Sequence, residues 1–82
     1  MATLVETSEN PEQQTLAHER EVALRAALQK LGVSYRETVI LRDIEGFSYE
    51  EIAATLEINV GTVKSRLARG RQELRRRLEG SL

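Results

Sequence analysis

The 82-residue sequence has no cysteine and no tryptophan, one proline, one histidine, and only two tyrosines and one phenylalanine. Without cysteine these residues can form no disulfide, no thiolate metal site and no thiol nucleophile, a composition that a reducing compartment permits. The cytoplasm is therefore the expected location. The single histidine, His18, has no cluster of metal-binding neighbours, so neither a metal nor a cofactor is expected. No apolar run of about 18 residues and no charged-then-apolar leader occur, which argues against a membrane span and a secretion signal. A chain this short accommodates one domain.

The formal net charge is -1, but the charges are segregated. Residues 60–82 carry Lys64, Arg66, Arg69, Arg71, Arg75, Arg76 and Arg77 against Glu73 and Glu79, a net +5. Everything before Val60 nets -6. One compact cationic element on an acidic body is the pattern of a domain that presents a single helix to a polyanion.

No strand-like alternation of useful length is present, and the only proline, Pro11, stands where it can open a helix rather than break one. Residues 1–9 lack periodicity and read as a flexible arm or linker remnant, with the domain proper over 10–82. Asn10 before Pro11 signals a first helix over about 11–30, whose Leu24, Ala27, Leu28 and Leu31 form one apolar stripe and which Gly32 ends. A second helix is expected from Tyr35 to Glu45, capped by Ser34 and closed by a left-handed Gly46. Its run Val39-Ile40-Leu41 with Ile44 covers more than one face, which implies burial on two sides or a side kept for a partner.

Phe47-Ser48-Tyr49-Glu50-Glu51-Ile52 combines a capping box, Ser48 with Glu51, and a hydrophobic staple, Phe47 with Ile52. A short third helix thus starts here and ends near Leu56. Asn59 can then cap a long fourth helix from Val60 to about Leu78. The expected fold is all-α, with four helices containing a helix-turn-helix.

Such a motif needs a small residue in its first helix, an apolar residue in its turn and an apolar edge on its second helix; Ala53, Ile58 and Val63 fill these places. On the fourth helix Val60, Val63, Leu67, Leu74 and Leu78 share one edge, with Gly70 beside them. Opposite lie Thr62, Ser65, Arg69, Gln72 and Arg76, flanked by Lys64 and Arg66. Hydroxyls, an amide and guanidinium groups are the types that bond base edges and phosphates. Because the N-terminal half of a recognition helix enters the groove, Thr62, Lys64, Ser65, Arg66 and Arg69 are the expected readers. Arg75, Arg76 and Arg77 also fit a helix C-terminus favoured by cations. Gly61, costly by about 1 kcal/mol inside a helix, suggests close approach of backbone to DNA or a frayed first turn.

Residues 31–79 resemble region 4 of bacterial RNA polymerase sigma factors of the extracytoplasmic-function group. The resemblance lies in Tyr35-Arg36-Glu37, Leu41-Arg42-Asp43, the run from Glu45 to Ala53, and the run from Val60 to Arg71. It implies recognition of the -35 promoter element in double-stranded DNA, with contacts at Arg42, Tyr49, Glu50, Thr62, Lys64, Ser65, Ala68 and Arg69; Arg66 is added from the helical wheel. It also implies two protein partners, the β-subunit flap of the polymerase core and an anti-sigma factor. The chain departs from the family at Glu57, where glycine is common and a left-handed turn would carry strain, and at Gly32-Val33, where proline commonly starts the second helix. The sigma region that melts the -10 element is not in the sequence, so a fragment of a longer factor, unable to initiate transcription alone, is expected.

Two other readings compete. One is the output domain of a response regulator, which shares the Gly-Thr-Val-Lys string but usually dimerises through a further C-terminal helix. The other is a protein-interaction module without DNA binding, supported by the acidic first half. An enzyme is not expected: His18 lacks partners, and Glu50 and Glu51 are accounted for by capping and the helix dipole.

Overall fold

The computed structural model describes residues 11–81, with side chains from Thr15 to Gly80. The expected arm and the Asn10 cap lie outside the described residues. Four α-helices follow in order: α1 (Pro11–Gln29), α2 (Val33–Val39), α3 (Tyr49–Leu56) and α4 (Val60–Ser81), with one π-helical turn, Ile40–Ile44, continuing α2. No strand occurs among the described residues.

Helix α1 buries Ala27 and Leu28 of the expected stripe, and Leu31 is buried just beyond its end, while Leu24 is half-buried. Its last turn tightens through i to i-3 bonds, Lys30 N–H to the Ala27 carbonyl and Leu31 N–H to the Leu28 carbonyl, both 3.1 Å. The Arg36 guanidinium then donates to the Gln29 carbonyl at 3.2 Å, satisfying an orphan acceptor. From Thr15 to Val22 every side chain is exposed. A groove of 550 Å³ opens beside this stretch, between Leu16, Ala23 and Leu24 of α1 and Leu78 of α4.

Helix α2 begins earlier than expected. Gly32, in an extended conformation at φ -59° and ψ 151°, is its N-cap, and Ser34 lies inside the helix without capping it. The Ser34 carbonyl instead accepts a 2.7 Å bond from the Thr38 hydroxyl, which allows Thr38 to be fully buried. The π turn is marked by the i to i-5 bond from Glu45 N–H to the Ile40 carbonyl, 2.9 Å. Gly46 follows at φ 81°, the left-handed terminator expected from the sequence. Of the apolar run, Val39 is buried, Ile40 and Leu41 are half-buried, and Ile44 remains 57% exposed. Burial therefore accounts for three of the four residues and not for Ile44.

The core is a cluster of Leu28, Leu31, Val39, Ile52, Val63 and Leu67, with Phe47, Ala53, Ile58 and Leu74 packed against it. Helix α4 runs through it and contacts α1, α2 and α3. Where it packs against α2, Gly70 is buried: a β-carbon there would lie 2.8 Å from Val39 Cγ2 and 3.3 Å from the Tyr35 carbonyl oxygen.

Candidate nucleic-acid interface

The interface is built from the turn between α3 and α4. Ser48 and Glu51 form the reciprocal capping box: Glu51 N–H donates to Ser48 Oγ at 3.0 Å, and Ser48 N–H donates to Glu51 Oε1 at 2.7 Å. At the far end of α3, the N–H groups of Glu57 and Ile58 both reach the Ala53 carbonyl, and Glu57 takes the left-handed conformation, φ 60° and ψ 47°. The turn thus keeps the shape for which glycine is suited, although glutamate occupies the position. Ile58 tucks against the core, and Asn59 Oδ1 accepts from Thr62 N–H at 2.8 Å, capping α4. Gly61 acquires a local reason here. A β-carbon on it would come within 3.3 Å of Asn59 Oδ1, so its bareness makes room for the cap.

With the cap set, the rotation of α4 is fixed by burial. Val63 is 0% and Leu67 2% exposed, and Gly70 continues the same edge. Lys64, Ser65, Ala68 and Arg69 are consequently exposed, whereas Thr62 and Arg66 are half-buried on the flank. The wheel places Thr62 fully outward, and the structure leaves it half-buried. Ser65 donates its hydroxyl to the Thr62 carbonyl at 3.1 Å. Glu50 is exposed in the first turn of α3.

The remaining two residues of the expected contact set are drawn together. Arg42, in the π turn, donates from Nη1 to the Phe47 carbonyl at 2.8 Å and lays its guanidinium over the Tyr49 ring, 4.9 Å from the centroid. The Lys64 ammonium reaches the same ring from α4, 5.9 Å from the centroid. Three elements therefore converge at Tyr49, which brings the Arg42 and Lys64 cations to one ring.

Sequence reasoning missed the contact that anchors this group. Arg71 on α4 grips Asp43, the residue after Arg42, with Nε at 2.9 Å from Oδ2 and Nη2 at 2.6 Å from Oδ1. The hydrogen bond to Arg71 holds the Asp43 carboxyl below the usual carboxylate range, outweighing the opposing effect of burial, with the charges of Arg71 and Arg42 adding to it. Nothing in the local sequence signals a pair 28 residues apart.

These pairs also reapportion the positive charge of α4. Arg71 is matched by Asp43, and Arg76 and Arg77 both by Glu73. Lys64, Arg66, Arg69 and Arg75 stand outside every ion pair among the described residues. Because α4 continues to Ser81 with no basic residue in its last turn, the helix-dipole reading of Arg75, Arg76 and Arg77 is corrected. Arg76 and Arg77 are instead held by the i to i+3 and i to i+4 partnership with Glu73.

Comparison with known proteins yields one family. The profile described as sigma-70, region 4 matches residues 21–74. The chain is 49% identical over 70 residues to the ECF RNA polymerase sigma factor SigE of Mycolicibacterium smegmatis, covering 83% of this chain and 27% of that protein. It is 38% identical over 71 residues to the RNA polymerase sigma-H factor of Pseudomonas aeruginosa, covering 87% of this chain and 37% of the relative. It is 34% identical over 73 residues to the RNA polymerase sigma factor SigZ of Bacillus subtilis, with coverages of 89% and 42%. The chain thus spans between about a quarter and two fifths of the length of these relatives. The helix-turn-helix expected from the sequence, the fold observed and the profile over its central residues agree, and the chain belongs to the sigma-70 region 4 family.

Proposed function

We propose that this domain recognises the -35 element of promoters as region 4 of an extracytoplasmic-function sigma factor, directing RNA polymerase in transcription initiation. The observation that carries the reading is the rotation of α4: Val63, Leu67 and Gly70 are buried, so Lys64, Ser65, Ala68 and Arg69 stand together on the open side. That helix enters the major groove by its N-terminal half. Ser65, Lys64 and Arg69 meet base edges and phosphates, Ala68 offers an apolar contact to a thymine methyl, and Thr62 and Arg66 work from the flank. Arg42, Tyr49 and Glu50 contact the duplex beside it. The family match over residues 21–74 favours this reading over a response-regulator output domain.

The protein partners lie on the other elements. Leu16, Val22, Val33 and Ile44, the large apolar side chains left exposed among the described residues, all fall on α1, α2 and the π turn. A surface of that kind fits the docking of the polymerase β flap and the opposing anti-sigma factor. The role is one of binding, exercised in the cytoplasm, with no catalytic step. No described helix is long and apolar enough to cross a membrane.

Selection of bound duplexes from a random pool, followed by fluorescence anisotropy on the winning site at two salt concentrations, tests the reading. A shared sequence whose binding weakens steeply with salt is expected. No enrichment, together with no binding at low salt, would overturn it in favour of a protein-interaction module.

A further inference from the structure

We infer that Asp43 and Arg71 are a positioning pair that holds Arg42 against Tyr49 beside the recognition helix, so that Asp43, an anionic residue, strengthens the binding of a polyanion. The inference rests on the DNA-binding reading above and adds to it two residues that lie outside the contact set.

The geometry forms an unbroken series. Arg71 belongs to α4, and its fork closes on Asp43 in the π turn through two bonds of 2.9 and 2.6 Å. A planar, two-pronged contact of this kind fixes direction as well as distance, which a single point contact does not. Asp43 follows Arg42 directly, so fixing one fixes the backbone from which the other projects. Arg42 is held in turn by the Phe47 carbonyl at 2.8 Å and by the Tyr49 ring at 4.9 Å. The same ring receives Lys64 from α4, 5.9 Å from its centroid. The series therefore starts on α4 at Arg71, crosses the π turn and the start of α3, and returns to α4 at Lys64.

The π turn is the segment on which the clasp acts. Its i to i-5 bond from Glu45 N–H to the Ile40 carbonyl departs from the α-helical ladder over the segment that carries Arg42 and Asp43. Arg42 and Asp43 are both carried on this turn. Helix α4 holds the turn through Arg71, and the register of Arg42 relative to Lys64, Ser65 and Arg69 follows from it.

Electrostatics and positioning predict opposite signs for one substitution, which makes the inference decidable. Asp43→Asn removes a negative charge near a polyanion and releases Arg71, so charge alone predicts tighter binding and a salt dependence steeper by about one released counterion. Positioning predicts weaker binding. The expected result on the selected duplex is a loss of about three- to tenfold for Asp43→Asn and for Arg71→Gln, strong non-additivity in the double variant, and substantial recovery in the charge swap Asp43→Arg with Arg71→Asp. Thermal melting establishes the temperature at which all variants are folded, and affinities are compared there.

A second readout needs no DNA. In the free protein, proton resonances of Arg42 and Lys64 that lie over the Tyr49 ring are shifted by its ring current. Asp43→Asn and Arg71→Gln should return the Arg42 signals towards exposed values, and the charge swap should restore them. If the wild type binds duplex but Asp43→Asn binds equally or more tightly, the inference is overturned while the DNA reading stands. If no duplex binds, the DNA reading fails with the proposed consequence for affinity, and the Arg42 resonances still decide whether the clasp exists. Unmoved resonances would remove the clasp whatever the duplex does.

Discussion

A β-carbon built on Gly70 of α4 lies 2.8 Å from Cγ2 of Val39 on α2, closer than two carbon atoms can rest. Gly70→Ala would gain about 1 kcal/mol of helix propensity on an exposed face. Here the overpacking, roughly 1–3 kcal/mol, together with the tight Tyr35 carbonyl contact, should exceed that gain. Urea denaturation should therefore show a lower midpoint for Gly70→Ala with an unchanged slope. A higher midpoint would mean that α2 and α4 can separate at little cost.

The two sides of α4 should respond differently to truncation. Leu67 is 2% exposed, and Leu67→Ala should destabilise the domain by roughly 2–5 kcal/mol. Arg69 is exposed and outside every ion pair among the described residues, so Arg69→Ala should leave the melting curve unchanged and weaken promoter binding by more than ~1 kcal/mol. Equal affinity of wild type and Arg69→Ala would take Arg69 out of the interface.

Glu57 holds a left-handed conformation at φ 60°, which costs a side-chain-bearing residue roughly 1–2 kcal/mol. Glu57→Gly removes that cost but adds unfolded-chain entropy of about 0.5–1 kcal/mol, so a net gain of up to ~1.5 kcal/mol is expected in chemical denaturation. A loss of stability would show that the Glu57 side chain contributes more to the turn than its strain removes.

The Asp43 carboxyl titrates below its unfolded value because Arg71 hydrogen-bonds its charged form. A depressed folded-state pKa contributes stability that is complete above the unfolded value of about 3.9 and is lost as the pH falls through the folded value. Since both partners are more than a third exposed, the contribution is at most about 1 kcal/mol. The stability difference between wild type and Asp43→Asn should thus be constant near neutrality and shrink below about pH 4. A difference that instead grew on acidification would contradict the assignment.

How much of this was legible follows from how local each signal is. The Ser48–Glu51 box, the Asn59 cap, the Gly46 terminator and the buried edge of α4 each depend on residues within a turn or two of one another, and all were readable. Ser34 failed as a cap because Gly32 takes the extended conformation first and starts the helix ahead of it. The π turn left no trace in the apolar pattern, because an i to i-5 bond is selected by packing rather than by side-chain period. Asp43 with Arg71, and Arg42 with Tyr49 and Lys64, are tertiary contacts that no periodicity encodes. Charge counting gave the net +5 of residues 60–82 without assigning partners, whereas Glu73 engages Arg76 and Arg77, and Asp43 engages Arg71.

Ser65 donates its hydroxyl hydrogen to the Thr62 carbonyl of its own helix, which leaves the oxygen's lone pairs to face outward. While that bond holds, a polar group that meets the oxygen must bring the hydrogen. In a major groove the exocyclic amino groups of cytosine and adenine can do so, while guanine O6 and thymine O4 present only further lone pairs. In such a contact, a hydroxyl ordinarily indifferent to its partner would favour the half of the bases that present an amino group.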